Sequence, residues 1–141
     1  MTDNNTLNLL GLARRGGNLA LGEEPVGDAC QQHKARVVFL ACDAGDTICR
    51  RAGRLAESGN APLVTLPWTK EELGFALGRK TCALLALTDQ GLASAVVARL
   101  AQSDESLKEL AEAMSEKTAR QKVRRDQKKK LQAKQKPAKR N

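Results

Sequence analysis

The strongest constraint on the fold of this chain is a pair of short, unbroken apolar runs, RVVFLA at residues 36 to 41 and CALLALT at residues 82 to 88. A strand with one wet face alternates apolar and polar side chains, whereas a run without alternation belongs to a strand covered on both faces. Each run is far shorter than the roughly 20 apolar residues a membrane helix needs, so both read as interior strands. Such strands require helices above and below the sheet. APLVTL, residues 61 to 66, is a third candidate strand, and a shorter one, residues 18 to 21, ends at Gly22.

The intervening segments supply those helices. LNLLGLARR, residues 7 to 15, has Thr6 as a candidate N-cap, Arg14 and Arg15 at its negative end, and Gly16-Gly17 as its stop. A second helix is predicted from Glu23 to His33, with Val26, Ala29, Cys30 and His33 on one face and Pro25 in the first turn. A third begins near Asp46, lines up Ile48, Ala52, Leu55 and Ala56, and closes at Gly59-Asn60. Asp43 and Asp46 suit its cap. Thr69 and Glu72 form a Thr-x-x-Glu capping box for a short helix ending at Gly78. A last domain helix starts near Asp89 and presents Leu92, Ala95, Val96 and Leu100. Strands alternating with helices predict an α/β domain, a three-layer α-β-α sandwich over residues 5 to 102.

Residues 103 to 141 form a second region, acidic and then basic. From residue 117 onward there are twelve basic residues and one acid, a charge of +11, while residues 1 to 116 sum to −3. A basic run of that density is made for a polyanion. Acids first and bases last suit the helix dipole, so one helix over residues 103 to 134 is expected, with Leu107, Leu110 and Met114 as its apolar stripe. Beyond them only Val123 and Leu131 continue the stripe, and the distal half has little to bury; the tail is a basic helical or disordered extension. Arg124, Arg125, Lys128, Lys129 and Lys130 are its phosphate-neutralising candidates.

Composition excludes several functions. One Trp, two Phe and no Tyr argue against folds that stack bases on a row of aromatics. Cys30, Cys42, Cys49 and Cys82 contain no Cys-x-x-Cys pair, and His33 is the sole histidine, so no metal site is expected. With no charged n-region followed by an apolar stretch, an export signal is not expected either, and the thiols read as reduced, cytoplasmic and part of the core. The glycines between residues 11 and 22 form no Walker A or GxGxxG loop, and no nucleophile–base pair emerges. No cofactor, small-molecule substrate or catalysis is expected. The basic tail has almost no apolar face to insert, so no membrane is expected.

Four blocks in order carry a resemblance: LNLLGLARRGG (7 to 17), GNLALGEEPVGDACQQHKARVVFLACD (17 to 43), TKEELGFALGRK (69 to 80) and LLALTDQG (84 to 91). They resemble the ribosomal protein superfamily typified by archaeal L-seven-Ae and eukaryotic L-thirty-e, and within it the bacterial YlxQ-like branch. That resemblance implies a four-stranded mixed sheet between helices and binding to kink-turn or related structured RNA, ribosomal RNA above all. Ribosomal proteins or assembly factors are the further partners it suggests.

In kink-turn binders of that family, the turn after the first strand carries Gly-x-Asn-Glu-x-x-Lys, which reads sheared G·A pairs. Gly22 matches here, while Glu24, Pro25 and Asp28 stand in place of Asn, Glu and Lys. Glu24 lacks amide donors, Pro25 has no polar group, and Asp28 repels phosphate; losing one good base contact costs about 1–3 kcal/mol. The candidate contact surface is Gly22, Glu23 and Glu24, with Arg79, Lys80 and Thr81 before the last strand and Arg14, Arg15 and Asn18 nearby. The tail is then expected to provide most of the affinity. The competing expectation is a protein-interaction adaptor, with Leu107, Leu110 and Met114 docking on a partner.

Overall fold

The computed structural model describes the backbone of residues 4 to 135 and the side chains of residues 5 to 129. The two apolar runs form the centre of the sheet. Strand β2 (Val37–Leu40) and strand β4 (Leu84–Leu87) are buried at every position and pair antiparallel, with Phe39 opposite Leu85. Strand β1 (Leu19–Leu21) lies antiparallel along the other side of β4, and β3 (Leu63–Thr65) runs parallel to β2. The four-stranded mixed sheet has the order β1-β4-β2-β3.

Alternation along the two inner strands divides the core between two layers, because successive side chains leave opposite faces. Val37, Phe39, Leu85 and Leu87 join a cluster with Leu10 and Ala13 of helix α1 (Asn4–Arg15), Leu73 and Leu77 of α4 (Lys70–Leu77), and Val96 and Val97 of α5 (Gln90–Ala101). Val38, Leu40, Leu84 and Ala86 face Val26 and Cys30 of α2 (Glu23–Gln31) and Ala52 and Ala56 of α3 (Asp46–Ser58). This is the expected three-layer sandwich. The capping box at Thr69 and Glu72 is formed in both directions, and Gly78 ends α4 in the left-handed conformation.

Several local expectations change. Thr6 lies buried inside α1, which begins two residues earlier, so it does not cap that helix. Helix α2 stops at Gln31, and His33 turns outward at φ 56, exposed and off the apolar stripe. Gly45 occupies the N-cap of α3 without a side-chain bond, while Asp43 accepts from the Lys70 backbone N–H at 2.8 Å and ties down α4 instead. Cys30 and Cys82 are buried, but Cys42 and Cys49 are exposed.

The C-terminal region does not form one helix from residue 103. Asp104 caps a 3₁₀ turn (Glu105–Leu107), and the long helix α6 (Lys108–Gln135) follows. Met114 is 5% exposed within the α1/α4/α5 cluster, with Leu107, Leu110 and Ala111 packed against it, so the core continues past Gln102. The Gln90 amide donates to the Met114 carbonyl at 3.3 Å, fastening α6 to the start of α5. Every side chain from Lys122 to Lys129 is exposed, and the helix leaves the body there. Among the described residues no helix is long and apolar enough to cross a membrane, and no cluster of His, Cys, Asp or Glu could hold a metal.

Candidate nucleic-acid interface

Antiparallel pairing of β1 with β4 decides which candidate residues meet. The exit of β1 lies beside the entry of β4, and the Gly22 N–H donates to the Leu84 carbonyl at 2.9 Å. Gly22 has φ 95, in the region that favours glycine, and its carbonyl accepts from Val26 at 3.1 Å to start α2. The loop leading into β4 folds back along α4: Arg79 N–H donates to the Gly74 carbonyl at 2.7 Å, and Cys82 N–H to the Lys70 carbonyl at 2.8 Å. A Cβ on Gly74 would stand 2.7 Å from the Lys80 carbonyl oxygen, so only glycine lets the loop lie this close. Arg79, Lys80 and Thr81 are all exposed on it.

The remaining candidates are distributed differently. Arg14 donates through Nη1 to the Leu77 carbonyl, completing the C-terminus of α4 next to Gly78. Its charge thus serves the end of a neighbouring helix as well as its own. Asn18 sits at the opposite end of β1 from Gly22, where its carbonyl accepts from Thr88 at 3.0 Å. A strand of that length separates the two by about 10 Å or more. Arg15 is exposed.

Glu23 is paired with Arg51 of α3, and both Glu23 and Glu24 border a shallow surface with Arg51 and Arg54. The acidic pair at the start of α2 therefore lies against two cations supplied by another helix. The ion pair is partly exposed on both sides and contributes at most about 1 kcal/mol. Nothing in the local sequence signals this partnership, because Arg51 lies 28 residues away.

Helix α6 holds the densest charge. Arg124, Arg125, Lys128 and Lys129 are exposed on it, as are Lys117, Arg120 and Lys122; the Lys130 side chain lies outside the described residues. At the foot of this basic segment is a cavity of about 340 Å³ between the start of β2, the loop at Gly59 and Asn60, and α6. Arg36, Gln90, His33 and Lys117 border it. Gln90 Oε1 and Arg36 Nε are buried and have no hydrogen-bond partner among the described residues. Sequence reading missed both. Arg36 opens an apolar run and Gln90 follows the cap of α5, with no local signal of a site; only the packing of α6 over them makes it.

The class defined here is an α/β domain of three layers on a mixed sheet, extended by a cationic helix. No family model matches the chain. Among the solved structures that share its fold are a protein of unknown function from Bacillus halodurans, 29% identical, covering 68% of this chain and 96% of its own, with a TM-score of 0.62; and the 15.5-kDa RNA-binding protein of Giardia lamblia, 21% identical, covering 76% and 92%, with a TM-score of 0.56.

Proposed function

We propose that this chain is a non-catalytic, cytoplasmic binder of structured RNA, in which the folded body positions the molecule and the basic half of α6 grips phosphates. The observation that carries this reading is the charge segregation: a sequence of net −3 through residue 116 is followed by one of +11, and the part of it described, on α6, has every side chain from Lys122 to Lys129 exposed. Fixed cations in that density neutralise a phosphate backbone without reading its sequence. The fold shared with the Giardia RNA-binding protein supports the same reading, as does the resemblance to the L-seven-Ae and L-thirty-e superfamily and its YlxQ-like branch. On this view the target is ribosomal RNA or an assembly intermediate, with ribosomal proteins or assembly factors as neighbours.

Family-type kink-turn readout by the body is weak in this proposal. Glu24, Pro25 and Asp28 supply neither the amide donors nor the cation of the family motif, and Glu23 is engaged by Arg51. Arg79, Lys80 and Thr81 remain to contact backbone. The adaptor reading is less favoured, since Met114 is buried in the core and Leu107 and Leu110 are partly buried against it.

The test is to replace Arg124, Arg125, Lys128 and Lys129 together by Gln in the full chain and measure affinity for a kink-turn RNA and an equal-length duplex across salt. The slope of log affinity against log salt should flatten by about 3 to 4, with large loss on both RNAs. An unchanged affinity would overturn the proposal.

A further inference from the structure

The cavity at the foot of α6 combines features that point to one ligand chemistry. Gln90 is 5% exposed, its amide nitrogen is used by the Met114 carbonyl, and its Oε1 is an acceptor with no partner among the described residues. Arg36 Nε is a donor in the same condition, and both side chains line the cavity. One atom calls for a donor and the other for an acceptor, and a hydroxyl has both capacities. Arg36 and Lys117 add positive charge at the same place, which suits a phosphate beside that hydroxyl. Ribose 2′-hydroxyl and phosphate occur together along an RNA strand, and the hydroxyl distinguishes it from DNA.

The cavity is also continuous with the cationic row. Lys117, Arg120, Arg124 and Lys128 fall at intervals of three, four and four residues, so they share one face of α6. At 1.5 Å per residue they span about 16 Å outward from the cavity. We propose that the cavity bordered by Arg36, Gln90 and Lys117 seats one ribose–phosphate unit of an RNA strand, whose backbone continues along Arg120, Arg124 and Lys128. The inference rests on the RNA-binding function proposed above and assigns it an anchoring point that prefers RNA to DNA, at the foot of α6.

The experiment uses the full chain with a single-stranded RNA of about 12 nucleotides, within the usual site size, and the DNA of the same sequence. The unsubstituted protein should prefer RNA. Gln90→Met, nearly the same shape without the acceptor, should lower RNA affinity about three- to tenfold and leave DNA affinity unchanged. Lys117→Gln, at an exposed position, should weaken both. In the unsubstituted protein the Gln90 side-chain amide resonance should move on adding RNA and stay still on adding DNA, a readout independent of how the variant folds. Equal binding of RNA and DNA, or an unmoved Gln90 resonance with RNA bound, overturns the ribose–phosphate site while leaving the tail-driven function standing. No binding to either single strand overturns the site as well, and the function proposed above is then decided by the kink-turn and duplex RNAs.

Discussion

Burial gives the four cysteines two chemical characters. It pushes the Cys30 and Cys82 thiols up from their ordinary value of 9.0, for Cys82 against the opposing influence of the Arg79 charge. Cys42 and Cys49 are exposed. An alkylating reagent at mildly alkaline pH should therefore modify Cys42 and Cys49 first, with Cys30 and Cys82 reacting only on unfolding, as mass spectrometry would read. The sign of the accompanying pH dependence follows. The folded state holds two thiols neutral, so their contribution to stability is fully present below 9.0 and is lost as pH rises through the raised folded values. At this scale the sequence was least informative: a cysteine at a strand end and one in a helix look alike until the layers are assembled.

Elements were legible where their signals are local. The unbroken runs of β2 and β4, the Thr69–Glu72 box and the Gly78 stop each depend on residues within one turn or one strand, and each formed as expected. Asp43 departs from its local signal because its role depends on a distant neighbour, the backbone of Lys70, 27 residues on; Thr6 and His33 depart because α1 starts at Asn4 and α2 stops at Gln31. The candidate site divides in the same way. Exposed cations at Arg79, Lys80 and along α6 announce themselves by charge, whereas the Arg36–Gln90 cavity exists only through tertiary packing. Gly74 is the element-scale test. In Gly74→Ala the new methyl would meet backbone atoms of Arg79, Lys80 and Thr81 at 2.7 to 2.8 Å, with no flexible side chain to give way. The substitution should cost about 1–3 kcal/mol in denaturant unfolding and displace the loop of Arg79, Lys80 and Thr81. A fully stable variant would show that the loop is free to lift.

At the scale of the molecule, α6 has two physical regimes. Up to Thr118 it is stabilised by packing on α5; beyond, it carries like charges at i and i+4, including Arg120 with Arg124, Arg124 with Lys128, and Arg125 with Lys129. Such pairs oppose helix formation, and a segment of this length without tertiary support is marginal in water. Helical content by circular dichroism should therefore rise with salt or on adding a polyphosphate, and the response should vanish when those arginines and lysines are replaced by Gln. A content insensitive to salt would mean that the distal half is held by something other than its own backbone. The same protrusion has a consequence before any contact is made. From Lys117 to Gln135 helix α6 carries nine bases and one acid, a charge of +8 beyond a body of −3, which creates a large electric dipole along α6. In the field of a polyanion it experiences a torque as well as an attraction, and swings helix-first during approach. Encounters are thereby pre-aligned, and ionic strength should govern how fast capture occurs more than how long the complex lasts.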